Sequence, residues 1–255
     1  MNLNRLTILW MIFASFAQAN TDTSTPVWYE IEFYIFKRDA TSNEKWPDPT
    51  MIPLQKNAVN LMSSPNGKIL RQHQWVAKNE LALPKLFDPP YLLSEKSLTM
   101  TTRNAILSKN IRSKHVLHLV WQQGILPEAT AVPLVFALGE DFSSQYQQDG
   151  FQIQTETLKS SEPIHEIFGY LTIYLDHYLF INLDFMLRKE GTKTIRPLKT
   201  LTGLQPQNST TDVNFLNQIP FQQKRRVRSK EIHYFDHPYL GIIMQIRPLE
   251  EQPAA

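Results

Sequence analysis

Two alternating runs in the second half of the chain constrain its fold more than any other feature. Apolar residues occupy every second position from Ile167 to Leu175 and again from Leu179 to Leu187. Alternate side chains of a β-strand lie on the same face, so each run predicts a strand with one face in a core. The short polar break at Asp176-His177 between the runs predicts that they form an antiparallel β-hairpin.

Weaker patterns extend this prediction along the chain. Further strands are predicted at residues 28–36, at 116–121, at 151–157, and on either side of a C-terminal turn at Asp236-His237-Pro238, with an apolar run resuming after Gly241. Apolar spacing from roughly Ser94 to Lys109 predicts a helix, and residues 196–214 are polar and typical of a loop. This order favours an α+β fold with a largely antiparallel sheet built from hairpins and one or a few helices.

The first 19 residues predict a cleavable secretory signal peptide. A basic start at Asn4-Arg5 precedes the apolar run Leu6–Phe16, which is too short for a membrane anchor, and Ala17-Gln18-Ala19 matches a small-x-small cleavage site. The chain has no cysteine, so neither a lipid-modified cysteine nor a disulfide is expected. The brevity of the signal is typical of bacteria and predicts a periplasmic or extracellular mature protein.

Residues 20–255 are expected to form a single domain, with a possible long proline-rich loop at 39–92. The 26 Lys and Arg residues nearly balance the 24 Asp and Glu residues, which argues against a dedicated nucleic-acid binder. Glycine-rich phosphate loops, nucleophile elbows and His-Glu-x-x-His motifs are absent from the sequence. We therefore expect no cofactor, no metal and no enzymatic activity.

Four cations within five residues make the segment Lys224–Arg228 a candidate ligand surface. Alternation predicts Arg226 and Arg228 on one face of a strand and Arg225 on the other. A cationic array on a rigid strand suits anionic or hydroxyl-rich polymers. Arginine stems that cover the edge of the core are the equally acceptable alternative.

Three other groupings have simpler structural explanations. Glu30 and Glu32 share a strand face at roughly the spacing of glycosidase carboxylates, but adjacent strand positions usually form a solvated face. His115 and His118 are three residues apart, so regular alternation places them on opposite faces. His233 and His237 bracket Asp236 in a fair metal or supporting group, but the turn between the histidines and the lack of another obvious ligand argue against a metal site. A buried histidine bound to a neighbouring strand carbonyl is the simpler account.

Three ordered segments resemble the CsiV-type peptidoglycan-binding proteins of Gram-negative bacteria. They are residues 28–38 followed by Trp46-Pro47-Asp48, residues 115–123, in which His115 replaces the usual aromatic, and residues 225–241, the most specific match. The resemblance implies a periplasmic, non-catalytic protein that binds peptidoglycan. It also implies support of a class A penicillin-binding protein through that enzyme's outer-membrane lipoprotein activator.

Candidate binding residues follow from the chemistry of peptidoglycan, which offers apolar sugar faces, hydroxyls and carboxylates. Arginine forks bind carboxylates and exposed aromatic rings stack on sugars. The candidates are Arg225, Arg226 and Arg228 for carboxylates, Trp46 for stacking, and His233, Asp236 and His237 at the C-terminal turn. An envelope protein–protein adaptor without intrinsic wall binding is the alternative function, and a wall hydrolase is a minor third option.

Overall fold

The computed structural model describes residues 26–39, 46, 52–62, 90–100, 113–154, 162–196 and 210–249. These residues form strands and two short 3-10 turns, at Glu95–Ser97 and Glu128–Thr130. The strands are β1 (Val27–Arg38), β2 (Tyr91–Leu92), β3 (Ser113–Ile125), β4 (Leu134–Asp141), β5 (His165–Leu175), β6 (Leu179–Ile195), β7 (Thr211–Val227), β8 (Ile232–Asp236) and β9 (Leu240–Pro248).

The strands build two antiparallel sheets whose inner faces share one core. The five-stranded sheet has the order β2-β3-β1-β9-β8, and the four-stranded sheet has the order β4-β5-β6-β7. Phe33 of β1 stacks on Phe136 of β4 with 5.2 Å between ring centroids, and Phe136 contacts Phe185 of β6 at 6.0 Å. Burial of such apolar side chains between the sheets is the main stabilising term of the fold.

The predicted hairpins are confirmed. Strands β5 and β6 pair with Leu171 opposite Leu183, and both side chains are completely buried. The strands predicted at 28–36 and 116–121 are the central parts of β1 and β3, and the C-terminal strand, turn and strand are β8 and β9. The alternation of side chains along a strand depends only on the local backbone, so distant parts of the chain do not change it.

The helical part of the α+β prediction is not found. Among the described residues there is no α-helix, and no helix there is long and apolar enough to cross a membrane. Residues 94–100 form one 3-10 turn and then extended chain, because the backbone N–H groups of Thr99 and Met100 donate to Glu32 of β1 rather than to a helix. The remainder of the predicted helix, residues 101–109, lies outside the described residues.

Two loop and strand boundaries also differ from prediction. Phe151 and Gln152 make isolated bridges instead of a strand, since Phe151 pairs with Phe215 of β7 and Gln152 with Tyr146. Strand β7 begins at Thr211, inside the predicted loop. The signal peptide at 1–19 and most of the proline-rich segment lie outside the described residues.

A β-bulge in β3 overturns the prediction for the two histidines. Ile35 lies opposite Leu117, but the next residue, Phe36, lies opposite His115, so Val116 is the extra residue. An extra residue resets the alternation of a strand. Both rings consequently contact Tyr34, with centroid distances of 5.4 Å for His115 and 5.3 Å for His118.

Candidate ligand-binding cleft

A cleft of about 430 Å³ opens where the end of β8 meets the middle of β7. Its volume falls within the range of small-molecule sites. Strand β1 contributes its last residue, and Trp46 closes one side. The lining side chains that matter below are Arg38, Trp46, Phe221, Gln223, Asp236 and His237.

The turn between β8 and β9 places His237 in this cleft. The backbone N–H of His237 donates to the carbonyl of Leu240 at 3.0 Å, and the N–H of Leu240 donates back at 3.2 Å. Gly241 is required just after the turn, because a Cβ at that position would lie 2.2 Å from the ring of Phe36. The turn thus fixes the backbone on both sides of the histidine.

His237 is only 5% exposed, and aromatic rings surround its imidazole. Its centroid lies 4.7 Å from Trp46, 5.1 Å from Phe221 and 5.9 Å from Tyr239. The pKa of His237 is lowered to about 4, mainly by burial; the carboxylate of Asp236 opposes this shift and the cation of Arg38 adds to it. The ring is therefore neutral near pH 7.

One nitrogen of this neutral ring has a partner and the other has none. Nδ1 accepts the backbone N–H of Tyr239 at 3.2 Å, which assigns the ring proton to Nε2. Nε2 has no hydrogen-bond partner among the described residues. A buried donor without an acceptor is costly in a native protein. Beside the cleft, His237 thus holds a buried N–H donor for which the described residues supply no acceptor.

Asp236 forms the polar rim of the cleft, where two neighbours contact its Oδ1 and the side chain stays 64% exposed. Its carboxylate pairs with Arg38 at 2.7 Å and accepts the Tyr234 hydroxyl at 2.7 Å, while Arg38 also contacts that hydroxyl. The Gln223 side-chain amide donates to the Asp236 carbonyl at 2.9 Å. This network fixes the position of the rim and offers N–H and O–H groups around the mouth.

The structure brings together three of the sequence-predicted site residues, Trp46, Asp236 and His237, and places the others elsewhere. His233 contacts the carbonyl of Arg228 through Nε2 at 2.8 Å. His233 is partly exposed and Arg228 lies beyond β7, so this is a carbonyl contact but not the expected buried histidine on a strand carbonyl. No group of three potential ligands that could hold a metal is present among the described residues.

The arginines predicted as ligands sit outside the cleft, at the end of β7 and just beyond it. Arg225 donates to the Tyr234 carbonyl at 2.6 Å and covers the ring of Phe235, so it braces β7 against β8. Arg226 lies over the exposed ring of Tyr178 at 4.4 Å. Arg228 follows the last strand residue, and its side chain is 76% exposed. Arg225 and Arg226 therefore lie on opposite faces of β7, as alternation predicts, whereas Arg228 lies beyond the strand and has no strand face.

The expected solvated face of β1 is instead a buried ionic network. Glu32 is fully buried and accepts five donors: the N–H and hydroxyl of Thr99, the N–H of Met100, Nε2 of His118 at 2.8 Å, and Arg247 at 3.1 Å. Glu30 holds the other edge of Arg247 at 2.7 Å. No spacing in the sequence indicates this network, because its members are far apart along the chain.

The hydrogen bonds of this network also keep Glu32 ionised. Burial by itself would raise the pKa of this carboxyl, but the hydrogen bonds from His118, Thr99 and Met100 outweigh burial and hold the pKa at about 2. The network ties residues 94–100 to the outer face of the five-stranded sheet. It is structural, and it lies apart from the residues that line the cleft.

Comparison with protein-family models gives one match, which covers nearly the whole chain. Residues 5–249 match the model described as "Peptidoglycan-binding protein, CsiV". Neither the curated proteins nor the solved structures contain a match.

Proposed function

Because the chain belongs to the CsiV family of peptidoglycan-binding proteins, we propose that it binds the glycan of peptidoglycan in the cleft around Trp46 and His237, without cleaving it. Peptidoglycan is a polymer of the bacterial cell envelope, so family membership implies an envelope protein. The cleft offers aromatic rings, those of Trp46 and Phe221, and a buried donor without a described partner.

The unpartnered Nε2–H of His237 is the observation that carries this proposal. Sugar hydroxyls, ring oxygens and N-acetyl carbonyls are all acceptors for such a donor. Apolar sugar faces pack on aromatic rings, and Trp46 is half-buried beside the histidine. Polar side chains also line the cleft, among them Arg38, Gln222 and Gln223, and such groups can hydrogen-bond sugar hydroxyls.

The cleft has one lining carboxylate among the described residues, which supports binding rather than hydrolysis. Glycoside hydrolysis normally needs two acidic groups, one on each side of the scissile bond. Asp236 is the single carboxylate among the described residues that line the cleft, and Arg38 and Tyr234 both contact its Oδ1. A zymogram with purified protein would test this part directly, with no cleared band expected.

The finer part of the proposal is a periplasmic protein that supports a class A penicillin-binding protein through that enzyme's outer-membrane lipoprotein activator. This part rests on the sequence resemblance described above. The adaptor alternative has one structural observation in its favour. Edge strand β8 exposes the side chains of Ile232 and Tyr234, at 37% and 40%, and exposed apolar side chains can form part of a protein–protein contact.

Sedimentation with isolated sacculi tests the proposed function. Protein beginning at Asn20 is expected to sediment with sacculi, and Trp46→Ala or His237→Phe to weaken that binding about tenfold or more. Tyr178→Ala is the matched control, because Tyr178 is an exposed aromatic residue outside the cleft. Thermal melts of all variants confirm folding.

Two outcomes would contradict the proposal. Unchanged binding by both folded cleft variants would move the contact surface away from the cleft. Failure of the unmodified protein to sediment would favour the adaptor without intrinsic wall binding.

A further inference from the structure

A second pocket of about 420 Å³ lies beside the cleft and is strongly basic. Arg38 lines both cavities. Five cationic and two acidic side chains line the second pocket. The cations are Lys37, Arg38, Lys114, Arg188 and Lys189, and the acids are Asp39 and Glu166.

Arg188 is the innermost cation, and the protein does not complete its contacts. Its Nη1 donates to the carbonyl of His165 at 2.7 Å, but its buried Nε has no partner. No carboxylate among the described residues forms an ion pair with it. Burial lowers the pKa of Arg188, which reflects the cost of a buried cation without a counter-charge.

The acids near the pocket do not neutralise this charge. Glu166 is held by Lys37 at 2.7 Å. Lys189 lies over the ring of Tyr239 at 4.5 Å, and neither Lys189 nor Lys114 forms an ion pair with a described carboxylate. Among the described residues of the pocket, Asp39 is the one remaining acid beside Arg188, Lys114 and Lys189, so the pocket keeps a net positive charge.

A chain of contacts connects this pocket to the cleft. Lys189 contacts Tyr239, whose ring centroid is 5.9 Å from that of His237. A ligand in the cleft could thus extend into the pocket past Tyr239 and Arg38. Such a ligand would need an anionic group close to its neutral, hydroxyl-rich part.

We propose that the basic pocket binds a carboxylate of the peptide stem while the adjacent cleft binds the glycan to which that stem is attached. This inference rests on the proposed function. A guanidinium fork matches a carboxylate with parallel N–H donors, so the stem would supply the acceptor that Arg188 lacks. The pocket then selects peptide-bearing glycan over bare glycan.

Two probes of nearly the same shape, one with charged and one with neutral carboxyl groups, test the proposal. One is a disaccharide–tetrapeptide from peptidoglycan with free carboxylates, and the other is the same compound with its carboxylates amidated. Titration calorimetry should show tighter binding of the free acid to the unmodified protein, by about tenfold or more. Arg188→Gln should remove this preference while binding of the amidated probe is retained.

A second variant guards against misfolding of Arg188→Gln. Lys114→Gln combined with Lys189→Gln changes two exposed side chains of the same pocket and should reduce the preference as well. Lys56→Gln combined with Lys193→Gln makes the same charge change at exposed residues that do not line the pocket. That control should keep the preference.

The outcomes separate this inference from the function on which it rests. Equal binding of both probes to the unmodified protein would overturn the stem-carboxylate site and leave glycan binding intact. A preference that persists in both pocket variants would overturn it as well. Binding of neither probe would overturn both proposals.

Discussion

Replacing Glu32 by glutamine is the sharpest test of how the five-stranded sheet is held together. Glutamine has nearly the same shape, but it carries no charge and turns one acceptor oxygen into a donor. That new NH₂ group would face the donors of Thr99 and Arg247. We expect the variant to fold and to be clearly less stable.

The size of the loss follows from the pKa of the carboxyl. In the folded protein the pKa of Glu32 is about 2, against an ordinary value of 4.5. A difference of this size corresponds to about 3 kcal/mol of unfolding free energy at neutral pH. For a protein of this length the melting temperature should fall by about 6–12 °C.

The loss must also depend on pH in a defined direction. Because folding lowers the pKa of Glu32, the ionised carboxylate stabilises the protein fully above pH 4.5, and this contribution disappears as the pH falls toward 2. The difference in unfolding free energy between the unmodified protein and Glu32→Gln should therefore shrink to about half at pH 3. Urea denaturation at pH 7 and pH 3 measures both values.

Glu30→Gln is the matched control on the same face of the same strand. Glu30 contacts Arg247 alone in the described network and is partly exposed, so its replacement should cost about 1 kcal/mol or less. A loss at Glu32 no larger than at Glu30, or one independent of pH, would refute the assignment of Glu32 as the ionised centre of the network.

Three further predictions concern export, the core and the basic segment. Pulse-labelled protein should shorten by the segment ending at Ala19 and appear in the periplasmic fraction; retention of that segment in the membrane would contradict the signal. Leu183→Asp should unfold the protein, as seen by loss of a cooperative melt, since it places an unpaired carboxylate in the core. Arg225→Gln should lower the melting temperature because Arg225 bonds to β8. The double variant Arg226→Gln with Arg228→Gln should leave the melting temperature unchanged. If sacculus binding falls only in this double variant, the basic segment is a wall contact.

Local patterns predicted the strands, because alternation and turn residues act over a few neighbours. The helix at 94–109 was predicted from apolar spacing. In its described part, the backbone N–H groups of Thr99 and Met100 donate to Glu32 instead of forming helical hydrogen bonds. A partner that far along the chain has no signature in the local spacing. The Val116 bulge also escaped prediction, since one inserted residue leaves composition and hydrophobicity almost unchanged.

Three of the residues that line the candidate cleft were named from local sequence features alone. Asp236 and His237 stood out because a proline ends their strand, and Trp46 because it is an aromatic residue in a proline-rich segment. Their neighbours Arg38 and Phe221 come from strands at opposite ends of the chain. Only the topology of the two sheets brings these residues together.

The position of β1 has a consequence for how the chain reaches its native state. Strand β1 is the middle strand of its sheet, and its neighbour β9 pairs with it across almost the whole sequence: Glu30 lies opposite Arg247, 217 residues later. Contacts of such long range slow folding, because the intervening chain must first be brought into a closed loop. During synthesis β1 therefore keeps one edge unpaired until the last strand is made, and a chain that stops short of β9 leaves that edge open to proteases and to other unfinished chains.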